Sequence, residues 1–132
     1  MCIFCSIVKG EIPSYKVYED DKVLAFLDIK PVNPGHCLVI PKKHLENIEE
    51  IDEEYLSHLV KIVKKIGNKI KNNLNVLGYN VQVNNDPIAG QEIAHLHFHI
   101  IPRQKNDNLK LFPQKNYNSG EAEEIVKKLI KE

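Results

Sequence analysis

From His95 to Ile100 histidine alternates with an apolar residue, reading His95-Leu96-His97-Phe98-His99-Ile100. A period of two is the pattern of a strand with one buried face. It predicts that His95, His97 and His99 share a face, with neighbouring Cβ atoms roughly 6.5–7 Å apart. Leu96, Phe98 and Ile100 then point the other way, into a core. Half of the chain's six histidines stand in this row. An inert sheet surface would use Thr, Lys or Glu there, so the row asks for a chemical explanation. Three are open: a trio of metal ligands, a set of inert hydrogen-bonded imidazoles, or a nucleophile whose neighbours tune it and bind an anion.

The rest of the chain supplies a scaffold for such a strand. Tyr15–Glu19 and Lys22–Asp28 are β-rich runs separated by Asp20-Asp21, a hairpin signal. Two prolines and a glycine make 29–35 a loop, and His36–Ile40 is a nearly all-apolar third strand ended by Pro41. Asp52 reads as a helix N-cap ahead of Glu53 and Glu54. Leu56, Leu59, Val60, Val63, Ile66 and Ile70 then recur at helical spacing in one long amphipathic helix ending near Asn73. Tyr79–Asn84 alternates again as a strand, and Ser119 is expected to cap a short terminal helix with Ile125, Val126, Leu129 and Ile130 as its stripe. Three strands, a helix, two strands and a final helix predict an α+β fold, an antiparallel sheet with its helices on one face. A chain of 132 residues fits one domain, with a core over 1–103 and a polar, turn-rich tail carrying the short helix over 104–132.

The formal net charge is zero, so no global field points to nucleic acid or to an anionic membrane. No apolar run reaches the 18 residues of a spanning helix, and the first residues lack the form of a signal peptide. Three cysteines, two of them close together, do not suit a disulfide framework, and a cytoplasmic location is expected. Any phosphate must then be held by local geometry. Ala89-Gly90-Gln91 places a residue without side chain where backbone N–H groups can approach an anion. Asn84 and Gln91 offer uncharged donors, and Arg103 ends the histidine strand within possible reach. Cys2-x-x-Cys5 has the spacing of half a zinc site or of two free thiols, while Cys37, in an apolar strand, reads as a small buried residue.

Gly90-Gln91, His95-x-His97-x-His99 and Pro102-Arg103 together resemble the signature of the histidine triad superfamily of nucleotide-binding hydrolases and transferases. Leu24–Ile29 and Pro34–His44 are similar to the family's two earlier blocks, in the same order, so the likeness spans about residues 1–103. The resemblance implies a five-stranded antiparallel sheet with one long and one short C-terminal helix. It implies His97 as a nucleophile toward the α-phosphorus, with His99 and His36 contacting phosphate. Asn84, Gly90 and Gln91 would lie on the phosphate side, Asp28 would take the ribose hydroxyls, and Phe4, Phe26 and Ile29 would form a purine slot for an AMP or GMP moiety. It further implies structural zinc held by Cys2, Cys5, His44 and His95, and a homodimer. Asp86 stands where many relatives carry glycine, and Glu92 where the phosphoramidase branch has serine. The expected activity is hydrolysis of purine nucleoside 5′-phosphoramidates or dinucleoside polyphosphates to a nucleoside monophosphate. The alternatives are a nucleotide-binding module with little turnover that acts through a partner, and a protein in which all three triad histidines bind metal.

Overall fold

Val23–Leu27 and Cys37–Pro41 are apolar at every position, so strands built from them have no face to offer water and must lie inside a sheet covered on both sides. The computed structural model, which describes all 132 residues, places them so. Five strands, β1 (Lys16–Glu19), β2 (Val23–Leu27), β3 (Cys37–Pro41), β4 (Gly78–Val83) and β5 (Phe98–Arg103), form one sheet in the order β1-β2-β3-β5-β4. Every neighbouring pair is antiparallel. Helix α1 (Ile3–Val8) precedes the sheet, α2 (Glu53–Asn73) lies between β3 and β4, and α3 (Glu121–Leu129) ends the chain. At the β1–β2 turn Asp20 Oδ1 accepts from the N–H groups of Lys22 and Val23, both at 2.8 Å. That local bond explains why the turn follows Glu19.

The two sheet faces have separate cores. Val23, Ala25, Cys37, Val39, Phe98 and Ile100 meet Leu59, Ile62, Val63, Ile66 and Ile70 of α2. Asp52 caps α2 by accepting from the Tyr55 N–H at 2.8 Å, as its position before two glutamates predicts. Gly67 is needed where α2 crosses the sheet, since a Cβ there would lie 2.5 Å from the Tyr79 ring. On the opposite face Leu24, Phe26, Leu38 and Ile40 are covered by Phe4 and Ile7 of α1. The expectation of helices on one face is therefore corrected: α1, a helix not anticipated, covers the other. Ile3-Ile7 and Phe4-Val8, two pairs at i,i+4 spacing, are the signal that marks it.

The histidine strand is also shorter than its alternation suggests. Phe98 is its first residue, His97 immediately precedes it, and His95 sits in a bend. Pairing with β3 runs Cys37↔Ile100, Leu38↔His99, Val39↔Phe98 and stops. Two residues further along β3 stands Pro41, which has no N–H to extend the ladder. The Leu96 N–H turns instead to the Leu45 carbonyl at 2.6 Å. Sidedness survives the break: Leu96 joins the α2-side core with Phe98 and Ile100, while His95 and His97 both pack edge-on against Phe4 on the other side.

Beyond Arg103 no residue is buried. Arg103 is clamped by Asp107 through Nε at 2.8 Å and Nη2 at 3.1 Å, and it also donates to Asn80 Oδ1 at 2.9 Å. Its guanidinium is thus spent on fixing the start of the tail and does not line the cleft. Gly120, with φ 80°, precedes α3 without a side-chain cap, and it is Glu121 Oε1 that takes the Asn118 N–H at 2.9 Å. Ser119 therefore does not cap the helix, and most of its apolar stripe, Val126, Leu129 and Ile130, is exposed.

Candidate active site and metal centre

Hydrogen-bond partners set the tautomers of three histidines, one protonated on Nδ1 and two on Nε2. His97 Nδ1 lies 2.7 Å from the His95 carbonyl. A carbonyl only accepts, so Nδ1 carries the proton and Nε2 presents a lone pair. His36 Nδ1 accepts from the Val32 N–H at 3.0 Å, which places the His36 proton on Nε2, donated to His99 Nδ1 at 2.9 Å. His99 is left with Nε2–H as a donor. The pair of rings thus offers one hydrogen-bond donor beside a nucleophilic nitrogen, with the His97 and His99 ring centroids 4.8 Å apart. Asp28, His36 and His99 do bring three donor atoms within 4.8 Å. The His36 Nε2 proton goes to His99, so the two rings form a hydrogen-bond relay with Asp28 Oδ2 outside it at 3.8 Å.

Burial, with His97 and His36 nearby, pushes His99 down to about 4, and burial also lowers His36. Both rings are neutral at pH 7, which the relay requires. The sign of the stability effect follows. An unfolded histidine takes its proton near pH 6.5, folded His99 only near 4, so between those values the unfolded chain holds more protons. The urea midpoint should be flat between about pH 7 and 8 and fall progressively from about pH 6.5 to 4. In His99→Gln the fall should be shallower, which urea titrations across that range would measure.

The rings open into a cleft of about 400 Å³. Asp28, Ile29, Lys30, Asn84, Gly90 and Glu92 line it together with the apolar Phe4, Ile7, Ile12, Phe26 and Leu38. Phe4 and Phe26 meet edge to face at 5.6 Å in its wall. Asp28 is held by the Lys30 N–H on Oδ1 at 2.9 Å, with Oδ2 3.8 Å from His36 Nε2. The sequence-predicted residues Phe4, Phe26, Asp28, Ile29, His36, Asn84, Gly90, His97 and His99 therefore converge here. Gln91 does not line the cleft. It is buried, donating to the Glu46 carbonyl at 2.6 Å and accepting from the Asp86 N–H at 2.8 Å. It braces the loop that carries Gly90, whose φ of 95° suits glycine. Val32, Ile7, Ile12 and Ile93 were not singled out by sequence reasoning, because nothing local marks a residue that only lines a wall.

Asp86 adopts φ 75° and ψ 155°, a region open almost only to glycine and costing other residues about 1–3 kcal/mol. Its one side-chain partner is Asn47 at 3.3 Å, exposed. Asp86→Gly should raise stability by about 1 kcal/mol after the added freedom of the unfolded chain is subtracted. A midpoint shift in urea at unchanged slope would report it. A loss of stability would mean that the Asn47 bond outweighs the strain.

His95, by contrast, belongs to a second centre. Its Nε2–H donates to the Pro41 carbonyl at 2.8 Å, which leaves the Nδ1 lone pair aimed at Cys2 Sγ, 3.3 Å away, and Cys5 Sγ, 3.6 Å away. His44 Nδ1 lies 3.3 Å from Cys5 Sγ. All four ligand atoms fall within 4.8 Å of one another. Zinc–sulfur bonds of about 2.3 Å and zinc–nitrogen bonds of about 2.0–2.1 Å in a tetrahedron give S···N edges of roughly 3.5 Å, so the observed spacing fits such an ion. The backbone bond to Pro41 is the outer contact that orients a ligating imidazole. Cys2 also caps α1, accepting from the Cys5 N–H at 3.4 Å. Cys37 stays apart, buried, with its thiol pushed up to about 11 by burial.

Residues 9–106 match the family model described as HIT domain. An uncharacterized HIT-like protein of Methanocaldococcus jannaschii is 49% identical over 129 residues, 96% of this chain and 99% of that one. An adenosine 5′-monophosphoramidase of Candida albicans is 46% identical over 107 residues, covering 78% and 70%. The crystal structure of a HIT family member from Bacillus subtilis superimposes with a TM-score of 0.90 at 41% identity, over 97% of this chain and 94% of that one. A Zn-bound histidine triad family protein from Mycobacterium smegmatis gives 0.79 at 33% identity, over 87% and 84%. With a family model matched over residues 9–106 and relatives 46–49% identical, this chain belongs to the HIT, or histidine triad, family.

Proposed function

We propose that the protein is a nucleotide hydrolase that cleaves purine nucleoside 5′-phosphoramidates or dinucleoside polyphosphates at the α-phosphorus. The observation that carries this reading is the His97 tautomer: an unprotonated Nε2 inside a cleft, held by the His95 carbonyl. Nε2 attacks phosphorus and forms an N–P bond. The bond to the leaving group breaks with its electron pair, and water protonates the departing atom. A second water then attacks phosphorus, its proton passing to the hydroxide left by the first, and the lone pair returns to Nε2 as the nucleoside monophosphate leaves. Splitting one displacement into two is what a covalent intermediate provides. His99 Nε2–H, polarised by His36, stabilises charge on a nonbridging oxygen. Gly90 and Asn84 bound the phosphate from the loop side, Asp28 accepts from the ribose hydroxyls, and Phe4, Phe26 and Ile29 flank the base. The Candida relative's name supports the phosphoramidate branch.

Zinc in the Cys2, Cys5, His44 and His95 centre would tie α1 to the segment that holds His97, a structural role for a closed four-ligand set. The Zn-bound Mycobacterium neighbour supports that metal. We further infer one functional unit over 1–132 with its catalytic body in 1–103, a cytoplasmic setting for its free thiols, and a homodimer that covers the open β4 edge. No helix is long and apolar enough to cross a membrane. Turnover of adenosine 5′-phosphoramidate and diadenosine tetraphosphate, followed by AMP release, tests the reading. Release of AMP from at least one substrate supports it. AMP binding with no turnover of either would favour a binding module.

A further inference from the structure

Residues 84–91 carry Asn84 and Gly90 to the cleft, yet every residue from Asp86 to Gly90 is exposed. Packing does little to fix such a loop. Its internal bonds are local turns: the Ala89 and Gln91 N–H groups donate to the Asp86 carbonyl at 3.0 and 3.3 Å, and the Gly90 N–H to the Pro87 carbonyl at 3.0 Å. Every hydrogen bond that leaves the loop ends on three consecutive residues of the connector between β3 and α2. The Ile48 N–H donates to Asn85 Oδ1 at 2.8 Å, Asn47 Nδ2 to Asp86 Oδ1 at 3.3 Å, and Gln91 Nε2 to the Glu46 carbonyl at 2.6 Å. One residue earlier, the Leu45 carbonyl takes the Leu96 N–H at 2.6 Å. The connector thus runs antiparallel to 85–96 as a splint, holding the loop and the residue before His97 on one rail. Leu45 and Ile51 fix the splint in the α2-side core, and Ile48 packs against it.

We propose that Asn85 is a positioning residue for the hydrolysis, setting the place of Asn84 and Gly90 relative to His97 by tying the start of the loop to the splint. The role rests on the hydrolase reading and adds to it a residue outside the cleft. Pairing of β4 with β5 ends at Val83↔Phe98, so past Val83 the tie at Asn85 is the first that holds the chain. Gln91 secures the far end of the loop, and the Asp86 bond between them is long and exposed. Asn85 is engaged through its oxygen alone. Without that oxygen the Ile48 N–H loses its acceptor and Asn84 is free to shift. A displacement of about 1 Å at a reacting centre can cost on the order of a hundredfold in rate. The base and ribose contacts assigned to Phe4, Phe26 and Asp28 come from other elements and stay in place.

The test compares Asn85→Ala and Asn85→Asp with the natural protein, each as the full chain, by turnover of adenosine 5′-phosphoramidate and diadenosine tetraphosphate, AMP affinity, and amide hydrogen exchange at Ile48. In Asn85→Ala the Ile48 amide should exchange faster and kcat should fall roughly ten- to a hundredfold, while AMP affinity holds within a few-fold. Asn85→Asp keeps an acceptor oxygen of the same reach, so kcat and the protection of Ile48 should return, read at raised salt to screen the added charge. A side chain that served only the fold would lose kcat and AMP affinity together, and that result overturns the proposal. So does an unchanged kcat in Asn85→Ala, or a loss in Asn85→Asp equal to that in Asn85→Ala. If the natural protein cleaves neither substrate, the hydrolase reading itself fails and the positioning role falls with it. If it cleaves one and Asn85→Ala cleaves it equally well, only the role of Asn85 falls.

Discussion

His97→Asn should lower turnover of adenosine 5′-phosphoramidate by roughly three orders of magnitude or more, the scale seen when a covalent nucleophile is removed. AMP binding should stay within a few-fold of the natural protein. Asparagine suits the test because its amide can still donate to the His95 carbonyl, replacing the Nδ1–H bond of 2.7 Å, while offering phosphorus no nucleophilic nitrogen. The neighbours should then remain in place: His99 is held by His36 and not by His97, and Phe4 keeps its edge contact with Phe26. Paired measurements of kcat/KM and of AMP affinity by calorimetry separate the two effects. Equal losses in binding and in turnover would point to a collapsed cleft, and unchanged turnover would remove His97 from the chemistry.

Metal removal should have the largest effect on stability. The four residues that could hold a metal join positions 2 and 5 to positions 44 and 95, so one ion there would close long loops as well as anchor α1. Stripping zinc with a chelator, or changing Cys5→Ser, should cost roughly 3–5 kcal/mol, which for a chain of this length is on the order of 15 °C in thermal midpoint. Burial and the neighbouring Cys2 raise the Cys5 thiol, so metal uptake releases protons and weakens as pH falls. At low temperature AMP should still bind after stripping, because Asp28, His36 and His99 are not ligands. Abolition of AMP binding while the fold persists would instead support metal ligation by the triad.

Much of this was legible from residue patterns. The period of two placed Leu96, Phe98 and Ile100 in a core, and Asp52 marked the start of α2. The convergence of Asp28, His36 and His97 was readable only through the family's blocks, since contacts between residues dozens of positions apart leave no local trace. Pro41 could not be seen to halt the ladder before β3 and β5 were known to be partners. Gln91 illustrates a different limit. Its residue type fits a phosphate donor equally well as a loop brace, and only the carbonyl of Glu46 decides. Arg103 is similar, claimed by Asp107 four residues on. In the terminal helix the stripe was correctly periodic, but periodicity says nothing of what, if anything, covers it.

The most direct test of a nucleotidyl-histidine intermediate is the stereochemical course at phosphorus. A nucleoside 5′-phosphorothioate analogue of known configuration, carrying an amine leaving group, is hydrolysed in isotopically labelled water and the configuration of the product determined. Two successive displacements, the first by His97 Nε2 and the second by water, require net retention. Net inversion would mean that water attacks directly, and His97 would then be at most a base or a phosphate donor.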